Sequence, residues 1–206
     1  MDWEHYDIQR EAWPSAGRHI MASYDDDSLV VYQAYRPEIG DYAARNGYFG
    51  GPFSYSRMSW IKPNFLWMMF RSGWGTKRDQ EVTLAVRLKR SFFDEVLAAA
   101  VPSSFDSSRY GTREDWSAAV QNSDVRLQWD PDHDPTGAKL ERRAIQLGLR
   151  GEFLRRYGRD AIVDIADISH EVRAQRAHIG SDDLLVPRER PYRPDETTCR
   201  LLGLHD

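Results

Sequence analysis

Hydrophobic and polar positions near the N-terminus predict a sheet. Residues 29–35 (LVVYQAY) are rich in β-branched and aromatic residues, which is typical of a strand. The run 19–24 lies just before them, across the acidic turn DDDS at 25–28, and this arrangement predicts a hairpin. Residues 81–89 (EVTLAVRLK) alternate in the same way and predict a further strand.

Helices are predicted where the hydrophobic period lengthens and where typical start and stop residues flank the pattern. Proline favours the first position of a helix, and glycine favours the position just after its end. Ser and Thr favour the N-cap. Four segments meet these criteria: 38–46 between Pro37 and Gly47, 64–72 between Pro63 and Gly73, 91–100 with Ser91 as N-cap, and 113–122 with Thr112 as N-cap.

The second half of the chain contains shorter segments of both kinds. The pattern predicts strands at 125–129, 143–147 and 161–165, and helices at 151–157 and 170–178. The Pro-rich stretch VPRERPYRP is expected to run extended over the surface. Because strands and helices interleave without regular βαβ spacing, the predicted fold class is α+β, a single compact domain with mixed, mainly antiparallel sheets.

The length of 206 residues, with 41% hydrophobic positions, suits one domain with a substantial core. We expect an N-terminal arm at 1–16, loose or added to a sheet as a strand, then the domain at 17–193 and a tail at 194–206. No apolar run approaches the ~18 residues of a membrane span, and the N-terminus lacks the apolar core of a secretion signal. The single cysteine, Cys199, excludes an internal disulfide. These features predict a cytoplasmic protein with no membrane partner.

The charge pattern favours an anionic ligand over general coating of nucleic acid. The net charge is -4, yet residues 139–159 are strongly basic. Arginine also far outnumbers lysine, which either reflects genome composition or favours phosphate and carboxylate ligands, because the guanidinium grips both with a planar fork.

Two stretches in the first half of the chain contain candidate ligand-binding residues. In VVYQAYRPEI, Tyr32, Gln33 and Tyr35 lie on a predicted strand, where their polar ends either bond within the sheet or form a floor for a ring or a ribose. In residues 57–75, aromatic and cationic side chains interleave, and this pattern is typical either of an aromatic core with solvated arginines or of a nucleotide site. The candidate ligand-binding residues of the second stretch are Arg57, Trp60, Lys62, Trp67 and Arg71.

Two later stretches add further candidates. Arg126 and Gln128 share one face of the predicted strand in VRLQWDPDHD, whose Asp-rich turn lacks the spacing of a calcium loop, so we expect no metal. Gln146 lies near the end of the strand in RAIQLGLRG, and Arg150 follows it. A helix that begins near Gly151 would offer free N–H groups to an anion.

The stretches VYQAYRPEI, RMSWIKPNFLWMMFRSGWGTK, VRLQWDP, RAIQLGLRG and LLVPRERPY resemble the hallmark blocks of domain-of-unknown-function family 4291. The resemblance covers about residues 17–193. The second block is long and unusual enough to be specific. The family description implies no reaction.

The order of these blocks is also similar to that of ADP-ribosyltransferase-like domains, which hold NAD between two half-sheets. That resemblance implies that Tyr32 and Gln33 contact the adenosine-side ribose, and that the block from Trp60 to Arg71 forms an aromatic wall at the nicotinamide. It further implies that Gln146 orients the nicotinamide ribose, where such enzymes usually carry Glu. Glu81 and Glu141 are the alternatives for this last role.

The expected function is therefore that of an NAD-using ADP-ribosyltransferase-like enzyme, with NAD as substrate and a nucleic acid or protein as acceptor. The alternative is a module that binds a nucleotide or single-stranded nucleic acid without catalysis, with Trp60, Trp67 and Trp74 stacked on bases. A third interpretation is an accessory protein whose Pro-rich end docks a partner.

Overall fold

A computed structural model of the protein describes residues 1–204. In this range the strands are β1 (Trp3–His5), β2 (Gly17–Arg18), β3 (Ile20–Ala22), β4 (Ser28–Tyr35), β5 (Ser59–Ile61), β6 (Val82–Lys89), β7 (Val101–Pro102), β8 (Val125–His133), β9 (Lys139–Leu149), β10 (Ile162–Asp167), β11 (Leu185–Pro187) and β12 (Arg190–Tyr192). The helices are α1 (Tyr6–Ala12), α2 (Pro37–Asn46), α3 (Phe65–Ser72), α4 (Arg90–Ala98), α5 (Arg113–Asn122), α6 (Gly151–Gly158), α7 (Ser169–Arg176) and α8 (Glu196–Leu202). The predicted α+β class with mainly antiparallel pairing is confirmed.

Capping residues fix the helix ends that the sequence predicts. α2 and α3 end at Gly47 and Gly73, whose φ angles of 72° and 59° are left-handed and therefore favour glycine. The Asn64 side chain accepts a 2.6 Å hydrogen bond from the Trp67 N–H at the start of α3. Thr112 caps α5 by accepting from the Asp115 N–H at 3.1 Å.

Two sheets form the centre of the fold. A three-stranded antiparallel sheet has the order β10-β6-β4, and a five-stranded sheet has the order β2-β9-β8-β7 with β5 also paired to β9. The sheets meet where the Tyr32 N–H of β4 donates a 2.7 Å hydrogen bond to the Lys62 carbonyl, just after β5. The end of β4 is therefore held beside β5.

Both faces of the three-stranded sheet are buried, so β4 is a hydrophobic run rather than an alternating one. Leu29 and Val31 pack into the larger hydrophobic cluster, together with Leu127 and Leu147 of the five-stranded sheet. Val30 and Tyr32 point the other way into a second cluster. α3 and the C-terminal segment cover that side, through residues such as Phe65 and Val186.

Three local predictions need correction. The predicted hairpin is confirmed only at its tip, where Tyr24 and Leu29 form an antiparallel bridge and the Val30 N–H donates to the Ser23 carbonyl at 2.9 Å. Beyond the tip, β3 pairs with β12 and β4 pairs with β6. The stretch VPRERPYRP does not run over the surface, because β11 and β12 pair with β1 and β3. α4 begins at Arg90 with Lys89 as N-cap, so Ser91 lies inside the helix.

The N-terminal arm and residues 194–204 of the expected tail both contain regular secondary structure, and residues 205 and 206 of that tail lie outside the described residues. The N-terminal arm adds β1 to β11, which confirms the added-strand alternative, and continues as α1. The segment expected as a tail forms α8, where Asp195 accepts hydrogen bonds from the N–H groups of Thr197 and Thr198. Cys199 is buried in this helix.

Glu189 connects the C-terminal segment to the middle of the chain. Its side chain is 1% exposed and accepts a 2.7 Å hydrogen bond from the Phe65 N–H at the first turn of α3. Its own N–H donates to Gln9 Oε1 at 2.8 Å, and its carbonyl accepts from the Trp13 indole at 3.0 Å. Burial raises the pKa of Glu189 well above its usual range.

A buried ion pair supports the same region from the other sheet. Arg142 of β9 and Asp132 of β8 are 4% and 0% exposed, and their Nη2 and Oδ2 atoms are 2.6 Å apart. Arg142 also donates a 2.8 Å hydrogen bond to the Pro14 carbonyl, and its guanidinium lies 5.0 Å from the centre of the Trp13 ring. The pair therefore ties the N-terminal arm to the five-stranded sheet.

Arg142→Ala is expected to reduce the free energy of unfolding by about 3–5 kcal/mol, because it leaves the Asp132 carboxylate buried without a counter-ion. Arg155→Ala is the matched control, since Arg155 pairs with Glu152 and Asp160 in exposed positions. Urea unfolding measures both variants. A loss for Arg142→Ala no larger than that for Arg155→Ala would contradict the structural role of the pair.

Candidate functional site

The side chain of Gln33 joins β4, β5 and α6. Gln33 is 4% exposed, and its amide donates to Ser59 Oγ at 2.8 Å and to the Trp60 carbonyl at 3.2 Å. Its carbonyl oxygen accepts a 2.6 Å hydrogen bond from the Tyr157 hydroxyl. Gln33 therefore positions the start of β5 and is occupied by protein partners.

Tyr35 lies two residues further along β4, at the same junction. Its hydroxyl and Ser59 Oγ are 2.9 Å apart. Burial raises the pKa of Tyr35, so the phenol is neutral and can share a hydrogen bond with the Ser59 hydroxyl. The ring packs edge-to-face against Phe53, with centroids 6.0 Å apart.

A cavity of about 490 Å³ opens beside this Tyr35–Ser59 pair. It lies between the end of β4, the start of α2, the loop before β5 and the loop before β6. Aromatic, hydroxyl, cationic and anionic side chains meet at its wall. They include Tyr35, Arg36, Phe53, Arg57, Ser59 and Asp79.

The cavity combines cations with one strained acidic residue. Arg57 is exposed and makes no ion pair within residues 1–204, whereas Arg36 lies 3.5 Å from the largely exposed Glu38. Asp79 has a φ of 63°, a left-handed conformation that is costly for a residue with a side chain. Its N–H donates to Glu81 Oε1 at 3.0 Å, which helps to hold this turn at the cavity.

A second polar cluster lies on one face of the five-stranded sheet. Gln128 and Gln146 are register partners on β8 and β9, so their side chains share a face. Their amides donate to the two oxygens of Asp130 at 2.8 Å and 2.7 Å. Trp60 is opposite Gly148 in the β5–β9 pair and lies on this same face.

Lys62 belongs to this cluster. Strand alternation places Lys62 on the same side as Trp60, and the side chain is only 6% exposed. Its ammonium has one long contact, 3.4 Å to the Trp60 carbonyl. Burial and, to a lesser extent, the charge of Arg71 lower the pKa of Lys62 to about 8, and the charge of Asp130 opposes this shift.

Arg126 and Arg150 are occupied at the C-terminal end of α5. The Arg126 guanidinium donates to the carbonyls of Ser123, at 3.0 Å, and Val120. Arg150 donates to the Ser123 carbonyl at 3.1 Å. Helix carbonyls without intrahelical partners favour cations at this position, so both arginines stabilise the helix end.

Two further predicted ligand contacts, those of Tyr32 and of the N-terminus of α6, are taken up by other parts of the protein. Tyr32 is fully buried against Phe65, with ring centroids 5.4 Å apart, and its hydroxyl makes no hydrogen bond to any described residue. The N-terminus of α6 is occupied by Asp124, whose carboxylate accepts from the Glu152 N–H at 3.1 Å. Burial keeps Tyr32 from a ligand, and Asp124 takes the place expected for an anion.

The tryptophans of the second block are mostly core residues. Trp67 is 5% exposed and stacks on Phe70, with centroids 5.5 Å apart, and on His133 at 5.2 Å. Trp74 is 7% exposed and donates its indole N–H to the Pro135 carbonyl. Neither ring is free to stack on a base, whereas Arg71 at the end of α3 is exposed.

A family model for a domain of unknown function, DUF4291, matches residues 19–192. The chain belongs to this family. The match spans both the cavity and the polar cluster. Comparison with curated proteins finds no match. None of the helices within residues 1–204 is both long enough and apolar enough to cross a bilayer.

The structure thus distributes the predicted site residues over several places. Tyr35 and Arg57 meet at the cavity, while Trp60, Lys62, Gln128 and Gln146 meet on the sheet face. Phe53, Ser59 and Asp79 are the site residues that sequence analysis missed, and their one available signal was proximity in the chain to the Arg- and Trp-rich block. Asp130 was considered there only as part of an Asp-rich turn, whereas the structure places it in β8.

Gln33→Leu is expected to lower the free energy of unfolding by about 1–3 kcal/mol, because it leaves the buried Tyr157 hydroxyl without its acceptor and removes the donor to Ser59 and the Trp60 carbonyl. Gln146→Leu is the control, since Gln146 is half-buried and bonds to a half-exposed carboxylate. Thermal and urea unfolding measure both variants. Equal stability of Gln33→Leu and the unmodified protein would show that Gln33 does not hold the junction.

Proposed function

We propose that this protein is an NAD-using, ADP-ribosyltransferase-like enzyme that holds its nucleotide in the cavity beside Tyr35 and Arg57. The observation that carries the proposal is the composition of that cavity. Aromatic rings, a hydroxyl pair and two arginines converge on about 490 Å³, which falls in the usual size range of small-molecule sites.

The arginines suit the diphosphate of a dinucleotide. A guanidinium binds phosphate oxygens with two parallel hydrogen bonds, and Arg57 has no competing carboxylate partner in the described chain. Arg36 lies across the same cavity, at the start of α2, where the helix dipole adds further positive potential. Tyr35 and Phe53 offer ring surfaces, and Ser59 offers a hydroxyl to a ribose.

The proposed reaction requires a carboxylate in the same cavity. The bond between ribose C1′ and the nicotinamide nitrogen breaks, and its electron pair leaves with nicotinamide. The acceptor then bonds to C1′ and loses a proton. Positive charge develops on the ribose after the bond to nicotinamide breaks and before the acceptor bonds. Asp79 is the cavity-lining carboxylate suited to stabilise that charge. Gln146, bonded to Asp130, does not line this cavity and is not assigned that role.

Nucleotide binding without catalysis is the second candidate. It is favoured by the position of Asp79 on an exposed turn, where solvent screens its charge. A single-stranded nucleic acid is disfavoured as the ligand, because burial of Trp67 and Trp74 removes two of the three expected stacking rings.

Saturating NAD is expected to raise the melting temperature of the protein. A ligand at a hundred times its dissociation constant adds about 2.7 kcal/mol of stability, which is a shift of a few degrees for a domain of this size. Arg57→Ala should remove most of the shift. Arg45→Ala, an exposed arginine on α2 away from the cavity, should retain it.

Nicotinamide release separates the two candidate functions. The enzyme should release nicotinamide from NAD, and Asp79→Asn should slow release by at least about tenfold while leaving the NAD-induced shift in place. Equal shifts with NAD and ATP and no release would favour nucleotide binding alone. No shift with either nucleotide would remove the cavity as a nucleotide site.

A further inference from the structure

The polar cluster of Lys62, Gln128, Asp130 and Gln146 lies outside the cavity and has no part in the function proposed above. Its unusual member is Lys62. The side chain is more than nine-tenths buried, yet its ammonium has a single 3.4 Å contact with a carbonyl. A buried ammonium is costly unless several strong partners replace its water.

The nearest carboxylate does not supply such a partner. Both oxygens of Asp130 accept hydrogen bonds from glutamine amides, at 2.8 Å and 2.7 Å, and Asp130 is not within 4.0 Å of the Lys62 amine in the described chain. The two glutamines hold the carboxylate in place on β8. Asp130 therefore acts on Lys62 through its charge rather than as an ion-pair partner.

Arg71 is a second cation whose charge acts on Lys62. It lies at the end of α3, is exposed, and acts electrostatically against the charged form of Lys62. The charged groups that act on Lys62 are thus Arg71 of α3 and Asp130 of β8. Desolvation next to another cation is the arrangement that makes a lysine nucleophilic, because it raises the fraction of neutral amine near neutral pH.

We propose that Lys62 is a nucleophilic amine that forms an imine with a small aldehyde acid or 2-oxo acid. The amine nitrogen attacks the carbonyl carbon and a C–N bond forms. The carbonyl oxygen then leaves as water with both hydrogens of the amine, so no oxidant or reductant is needed. In this proposal the exposed guanidinium of Arg71, whose charge acts on Lys62, binds the carboxylate of the substrate by a charge-assisted hydrogen bond.

Reductive trapping with glyoxylate and borohydride tests the proposal, because it converts the imine into a stable carboxymethyl-lysine. The chain has four lysines, so peptide mass spectrometry assigns each adduct. Near neutral pH, Lys62 is expected to react at least about tenfold faster than the exposed Lys89 and Lys139, because an ordinary lysine is almost fully protonated there. Glycolate, which has no carbonyl group, should give no adduct.

The pH dependence distinguishes the proposed site from a merely accessible lysine. Labelling of Lys62 should be half-maximal near pH 8. Arg71→Gln should move this midpoint to higher pH, because a neighbouring cation disfavours the ammonium. Asp130→Asn should move it to lower pH, because the carboxylate favours the ammonium.

Two results would overturn the proposal. One is labelling of Lys62 no faster than that of Lys139 in the folded protein. The other is a midpoint that neither Arg71→Gln nor Asp130→Asn changes. Circular dichroism of each variant checks the fold, and an unfolded chain is recognised because all four lysines then react alike.

Discussion

The hydrogen bond from the Tyr32 N–H to the Lys62 carbonyl is the contact on which the arrangement of this protein depends. It joins the edge of the three-stranded sheet to β5 and so to the five-stranded sheet. Gln33 repeats the connection one residue later through its side chain. Because a strand's side chains alternate, the junction also fixes what lies on each side of β5. Ser59 faces Tyr35 and the cavity, while Lys62 faces Asp130 and the outer polar cluster.

Local structure was largely predictable, since it follows from residues close in the chain. Asn64 and Gly73 delimit α3 through caps that involve their immediate neighbours, and the Val- and Leu-rich run of β6 needs no distant information. The hairpin predicted at 19–35 forms only at its tip, and the reason lies far away in the chain. β3 pairs with β12, about 170 residues away. This partner could not be predicted, because it lies in a Pro-rich stretch and proline disfavours strands. Glu189 illustrates the same limit, because a charged residue in such a stretch is ordinarily expected at the surface, yet here it is buried at the start of α3.

The residue types of the candidate site could be predicted from the sequence, but their positions in the structure could not. The Arg- and Trp-rich block does border both the cavity and the polar cluster, through Arg57 at one end and Lys62 and Arg71 further on. Gln146 and Gln128 were expected near a ligand, and they do share a face, but their amides hold Asp130 instead of lining the cavity. Pairing register decides such outcomes, and a register between β8 and β9 cannot be fixed from one sequence when both strands carry several polar residues.

Arginine content alone could not identify functional residues, because many of the arginine side chains have structural roles. Arg142 neutralises a buried carboxylate, Arg126 and Arg150 stabilise a helix end, and Arg155 joins an exposed ion-pair network. Arg57 and Arg71 differ from these in their surroundings. Each is exposed and has no ion pair in the described chain. Arg57 lines the cavity with the Tyr35–Ser59 pair, and the charge of Arg71 acts on the buried amine of Lys62. No carboxylate of the described chain neutralises either guanidinium, so the charge of each is available to an anionic ligand.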